Sequence, residues 1–191
     1  HPMRRIPRAN PTFGLFAVSL AFLTLTVFTA ACAPRPGLAP GQTLALASAS
    51  ENGVNVSISI ERTSEGVVLL HATFTPPAGN HLYSKDIPIT GVDGLGRPTL
   101  FELTADSKMQ ALGSLGESVP AIDLDFEYQK LPIYPAGPVT LTLPIALPPG
   151  AGWVEDVVSV TYMACNDTGC KPPVLGKIIP VRVPGADSIS K

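Results

Sequence analysis

Two cysteines with four residues between them, Cys165 and Cys170, sit in the stretch Tyr162-Met163-Ala164-Cys165-Asn166-Asp167-Thr168-Gly169-Cys170-Lys171-Pro172-Pro173. Asn-Asp-Thr-Gly is turn chemistry. An apolar, alternating run (Val157 to Ala164) leads in, and an extended Pro-Pro segment leads out. The spacing therefore predicts a hairpin with the two sulfurs facing each other at its base. Cross-strand neighbours fall within the ~4.4–6.8 Å Cα separation that a disulfide needs, and outside the cytoplasm such a pair oxidises. The pair is either a structural staple or a redox-active couple. A loop this short gains only about 2 kcal/mol from closure. A chain that is 45% apolar has material for a core without staples. An immunoglobulin-type bridge would instead join distant strands through the core. Spacing alone leaves both readings open. Cys165, Cys170, Met163 and His81 are also soft or borderline ligands that could suit Cu(I). Without a second Cys/His cluster that signal is weak, and no metal or cofactor is expected.

Other catalytic patterns are missing from the sequence: there is no Gly-x-Ser-x-Gly elbow and no His-Glu-x-x-His. His71 lies in an apolar strand context and reads as structural. His81 suits packing or hydrogen bonding better than ligation. Asp123, Asp125 and Glu127 alternate at period two, as a solvated strand face does; a Ca²⁺ loop would need a central Gly that is not there. The chain carries 13 Lys+Arg against 15 Asp+Glu, and Arg4, Arg5 and Arg8 precede every acid. The body is thus more acidic than the whole, which argues against nucleic-acid binding.

The elements that must position the cysteines read as short strands. Val54 to Ile60, Ile122 to Phe126 and Val139 to Leu143 alternate apolar and polar residues. Further strands are expected at Val67 to Phe74, His81 to Lys85, Thr99 to Leu103, Val157 to Ala164 and Ile178 to Val183. Pro (21) and Gly (17) punctuate them and disfavour long helices. The one weak helical segment, Ser107 to Leu115, reads better as a loop between glycines. The expected fold is all-β, an antiparallel immunoglobulin-like sandwich carrying a redox hairpin.

The amino terminus reads as an address. After His1-Pro2, which look extraneous, come three arginines, the uncharged run Phe13 to Ala31, and small residues before Cys32. This is the layout of a bacterial export signal. A Cys directly after small residues resembles the lipoprotein box, although Thr29 stands where an aliphatic residue is usual. The expected organisation is a signal peptide over 1–31, a lipidated Cys32 with a flexible linker over 32–50, a β-sandwich over 51–185 and a tail over 186–191. The body would face outward from the inner membrane.

The segment Val160-Thr161-Tyr162-Met163-Ala164-Cys165 through Cys170-Lys171-Pro172-Pro173-Val174 resembles the redox segment of the amino-terminal domain of the DsbD thiol:disulfide interchange family. Ala78-Gly79-Asn80-His81-Leu82-Tyr83-Ser84-Lys85 is similar to that family's early strand. The resemblance spans about Val54 to Val183. It implies a thiol-disulfide exchange domain, a component of a protein-disulfide reductase. Such a domain takes electrons from a membrane thiol reductase through a thioredoxin-like domain. It passes them to thioredoxin-like envelope proteins, including those of cytochrome c maturation. Cys165 and Cys170 would be the exchanging pair, with Cys170 forming the mixed disulfide. Tyr83, Tyr162, Pro172 and Pro173 would support it. The family covers its cysteines with an aromatic cap; the nearest segment here, Ala111 to Ser118, offers Leu115. The alternative is a non-redox immunoglobulin-like binding or adaptor lipoprotein with a structural hairpin disulfide.

Overall fold

The computed structural model describes residues 37–126 and 129–189. The expected signal peptide and Cys32 lie outside the described residues, as does Glu127 of the acidic row. The strands in chain order are β1 (Thr43–Glu51), β2 (Val54–Arg62), β3 (Val68–Thr75), β4 (His81–Leu82), β5 (Leu100–Leu103), β6 (Gln110–Ala111), β7 (Gly116–Glu117), β8 (Ile122–Phe126), β9 (Gln129–Ile133), β10 (Val139–Ala146), β11 (Trp153–Tyr162), β12 (Ala164–Asn166), β13 (Gly169–Cys170) and β14 (Val174–Pro184). A 3₁₀ turn, Ala186–Ser188, follows. Among the described residues no helix is long and apolar enough to cross a membrane.

The fold is an all-β, immunoglobulin-like antiparallel sandwich. One sheet runs β1-β2-β3-β10, with the short β6 and β7 both pairing on β10. The facing sheet runs β14-β11-β5. Strict alternation buries Val54, Val56, Ile58 and Ile60 on β2, Leu70, Ala72 and Phe74 on β3, and Val139, Leu141 and Ile145 on β10. Val158, Val160, Tyr162, Ile179, Val181 and Val183 meet them from the other sheet in one continuous core. Each fully buried large aliphatic or aromatic side chain contributes roughly 1.5–3 kcal/mol, so this interior holds the fold together. The outer face of the large sheet is polar. There Thr73 Oγ1 and Thr140 Oγ1 share a hydrogen bond of 2.8 Å, and His71 Nδ1 meets Thr142 Oγ1 at 2.9 Å. His71 is thus a structural side chain, as its context suggested.

Two boundaries differ from the sequence reading. Residues 43–50, expected as part of a flexible linker, form most of β1, which pairs with β2 from Thr43↔Glu61 to Glu51↔Val54. Small Ala and Ser side chains and a bulge between Ala45 and Ala47 hide its alternation. The turn that closes this hairpin, Asn52-Gly53, has φ of 52° and 83°. That is the left-handed pair favoured in two-residue hairpin loops. At the other end, the expected tail folds back. Ala186 N–H donates to Pro148 C=O and Asp187 N–H to Gly150 C=O, and Ile189 is buried on the main core. The domain therefore extends at least through Ile189. Ser107 to Leu115 is irregular apart from β6, held by the buried Asp156 carboxylate.

Candidate functional site

The site grows out of β11. This strand is buried in the sandwich through Tyr162, breaks at Met163, and resumes as β12 in a different, three-stranded sheet of order β13-β12-β4. A register shift between Val160 and Tyr162 marks the departure. There the partner strand takes a positive φ of 59° at Gly176, whose N–H donates to Thr161 Oγ1. The chain thus carries Cys165 out of the sandwich on a strand whose first half is anchored in the core.

β12 and β13 form the expected hairpin, with Cys165 opposite Cys170 and Asn166 opposite Gly169. Asn166 Oδ1 accepts from Thr168 N–H, Thr168 Oγ1 and Gly169 N–H, an Asx turn that sets the loop without help from the sulfurs. Cys165 and Cys170 are joined by a disulfide, with Cα atoms 4.0 Å apart. That is closer than the range expected from the sequence and close to the ~4.5 Å of a non-hydrogen-bonded antiparallel pair. The two sulfurs differ in environment: Cys165 is 2% exposed, whereas Cys170 is on the surface.

Cys165 belongs to a second, small cluster with Tyr83, Ile87, Leu131 and Ile133, separate from the main core; Val92 and Met163 pack against it. Tyr83 is its pivot. Its backbone carbonyl accepts from Thr99 N–H and Thr99 Oγ1. The flanking backbone joins β9 through Ser84 N–H to Pro132 C=O and Tyr134 N–H to Leu82 C=O. Pro132, which has no N–H, takes part in that contact only as an acceptor, from Ser84. The Tyr83 hydroxyl donates to Cys165 Sγ at 3.0 Å and lies 3.8 Å from Cys170 Sγ. Burial pushes that hydroxyl above its ordinary pKa, so it stays a donor. Gly96 lies against the ring: a Cβ there would fall 2.8 Å from Tyr83 Cδ1, and φ is +72°. His81, opposite Cys165 on β4, packs edge-to-face on Tyr83 with centroids 5.5 Å apart. Burial lowers the His81 pKa, and nearby Asp167 partly opposes this.

An open cleft of about 550 Å³ lies over the pair, lined by His81, Tyr83 and the Asn166–Gly169 loop together with Leu95, Leu124 and Leu131. Leu115, expected as the cover, packs against the main core instead. It sits between β6 and β7, which pair on β10 of the large sheet and so place it away from this hairpin. Leu95 and Leu124 are 43% and 40% exposed and form the apolar rim. Their role could have been read for Leu124 from the alternation of β8; for Leu95, in a Gly-rich loop, nothing local signals it. Of the other expected supports, Tyr162 is in the main core, edge-to-face with Phe74, and its hydroxyl donates to Glu51 C=O. Burial pushes its pKa up to about 12. Pro172 and Pro173 are exposed beyond Cys170, and Asn52 Nδ2 ties the Pro172 carbonyl to the β1-β2 turn at 2.8 Å. Asp123 pairs at the surface with Lys130. Among the described residues no group of three His, Cys, Asp or Glu could hold a metal ion.

No family model matches the chain, and no curated protein does. Among solved structures, the chain is similar to the reduced form of the Neisseria meningitidis DsbD N-terminal domain. The identity is 16%, the match covers 61% of this chain and 76% of that one, and the TM-score is 0.38.

Proposed function

We propose that the chain is a thiol-disulfide exchange module whose working couple is Cys165–Cys170. The observation that carries this reading is the asymmetry of the pair: Cys170 is an exposed residue, and Cys165 is buried beneath a hydroxyl donor outside the main core. A partner thiolate would attack Cys170 Sγ, the sulfur of the exposed residue that lines the cleft. As the new S–S bond forms, the Cys165–Cys170 bond breaks and Cys165 leaves as a thiolate. The Tyr83 hydroxyl is already placed to donate to it, and the thiolate then takes up a proton from water. A second partner thiolate attacks the mixed disulfide and releases Cys170. Two electrons have then passed to this chain, and the partner dithiol has become a disulfide. The reverse sequence reduces an oxidised client.

The resemblance of the Cys-Pro-Pro segment supports thioredoxin-like partners and a membrane thiol reductase as the source of electrons. The leader-like start and Cys32 support a lipid-anchored place on the outer side of the inner membrane. A purely structural bridge is less well supported, because the Asx turn and strand pairing already define the hairpin. The test is the equilibrium reduction potential. An exchanging pair sits above about −300 mV and a structural one below it. Trapping of a mixed disulfide by the Cys165→Ser variant with a thioredoxin-like protein, and its absence with Cys170→Ser, would complete the assignment.

A further inference from the structure

We infer that His81 is the base that takes the Cys165 proton when Cys165 resolves a mixed disulfide held on Cys170. This rests on the exchange reading and deepens it, giving the proton a side chain to travel through. Register puts the three groups in one row. In the sheet β13-β12-β4, Cys165 stands opposite Cys170 on one side and opposite His81 on the other. The neighbouring pair, Ala164 and Leu82, is buried in the main core. Successive residues of a strand point to opposite faces, so Cys165 and His81 share the other face, the one that lines the cleft. Side chains directly opposite on paired strands have Cβ atoms about 4.5–5.5 Å apart, which brings an imidazole nitrogen within reach of the sulfur beside it. The ring is held there edge-to-face on Tyr83, with centroids 5.5 Å apart.

The chemistry selects this ring. Cys165 is 2% exposed, so bulk water is a poor acceptor for its proton, and burial disfavours the thiolate that must attack. Tyr83 donates to this sulfur and keeps its own proton, so it supports the thiolate without creating it. Among the described residues that line the cleft, the remaining titratable groups are Cys170 and Asp167. Cys170 is engaged in the mixed disulfide, and Asp167 is exposed in the turn, outside the row. Burial favours the neutral, accepting form of His81, with Asp167 partly opposing. The step balances. As His81 takes the proton, the Cys165 sulfur bonds to Cys170 Sγ, the bond from Cys170 to the client sulfur breaks, and the client sulfur leaves as a thiolate. The imidazolium then gives its proton to water. In the opposite direction the same ring hands a proton from water to the departing Cys165 thiolate.

The experiment uses the reduced full chain carrying Cys32→Ser, so that only Cys165 and Cys170 report, and one equivalent of 4,4′-dithiodipyridine. Attack by Cys170 releases a first 4-thiopyridone and leaves a pyridyl mixed disulfide. Attack by Cys165 on Cys170 Sγ releases the second, in a phase independent of reagent concentration. With His81 present, this second phase should rise with pH up to the titration midpoint of the His81 ring, read by NMR, and level off above it. In His81→Gln it should be about a hundredfold slower at neutral pH, at the lower end of what a positioned base contributes. It should then rise about tenfold per pH unit as Cys165 ionises unaided. A rate in the His81 chain that keeps climbing past the ring's midpoint would overturn the assignment, and that arm needs no substitution at position 81. So would a second phase in His81→Gln within about threefold of the His81 chain at neutral pH, or a loss equal at every pH. Closure of the reagent adduct needs no protein partner, so the exchange reading itself is judged separately, by the reduction potential of the unsubstituted chain.

Discussion

Removing the Tyr83 hydroxyl while keeping its ring isolates the contribution of a single hydrogen bond to exchange. Tyr83→Phe leaves the contacts with Gly96, His81 and Leu131 in place, so the fold should persist. The lost bond is the 3.0 Å donation to Cys165 Sγ. In the disulfide its acceptor is neutral and the bond is weak. In the transition state for attack on Cys170, Cys165 takes on charge in a site that is 2% exposed, where water supplies little compensation. Hydrogen bonds to charged groups contribute about 1.5–3 kcal/mol, and sulfur belongs at the lower end. A loss of about 1.5 kcal/mol slows reduction by dithiothreitol roughly tenfold. The same loss raises the thiol pKa of Cys165 by about one unit, read from the pH dependence of alkylation in a Cys170→Ser background. The donor does not fail across this range, because burial keeps the Tyr83 hydroxyl protonated beyond its ordinary value. Reduction rates within twofold of the parent, together with an unmoved alkylation profile, would refute the role given to this hydroxyl.

Reduction of the disulfide should lower stability by only about 2 kcal/mol, since the closed loop is short; urea unfolding with and without reductant measures it, and loss of folded protein would return the pair to the staple class. Gly96→Ala has no room against Tyr83 Cδ1 and a positive φ to satisfy. It should cost about 1–3 kcal/mol, seen as a lower Tm, and should slow exchange along with it. Asp156→Ala strips the acceptor shared by Ser107 Oγ, Lys108 N–H and Met109 N–H. Leaving buried donors unpaired costs about 1–3 kcal/mol in the same denaturation assay. His81, whose folded pKa is depressed chiefly by burial, adds stability that is fully present above its unfolded pKa and is lost as pH falls through the folded value. The difference in unfolding free energy between the parent and His81→Gln should therefore shrink on acidification from neutral pH, and a difference independent of pH would contradict the burial of this ring.

Much of the fold was legible because burial and periodicity coincide. β2, β3 and β10 present one apolar face each, and the sequence shows the alternation directly. β1 was not legible by that route: its inward side chains are mostly Ala and Leu at half-buried positions, and a bulge breaks the count. Asn52-Gly53 was the available signal, since such a pair implies a strand on each side. The hairpin of the cysteines was legible from its turn residues. Its surroundings were not, because the cleft is assembled from loops and edges distant in sequence. Leu95 reaches it from a turn closed by the Val92↔Leu95 bridge and clamped by Arg97 on the Thr90 and Gly94 carbonyls. No period marks such a residue. Leu115 was expected only from the likeness of Ala111 to Ser118 to a cap segment, a local cue that says nothing of the sheet on which β6 and β7 would land.

The separation of the two apolar clusters explains how a covalent bond could be made and broken here without loosening the domain. The main core contains neither cysteine, and the cluster around Cys165 contains no residue of β2, β3 or β10. The two are joined through β11, packed in the main core on its sandwich side, and through Leu82, whose side chain lies in the main core while the next residue carries the hydroxyl at the sulfur. Cys165 is therefore held at a fixed place by strands that do not depend on the disulfide, and Cys170 lies on a two-residue strand with little of its own to lose. A staple gains most where it ties distant parts of a chain together. This bond ties neighbours already paired, so it adds little stability, and in the proposed exchange the exposed Cys170 gives the partner a definite direction of approach.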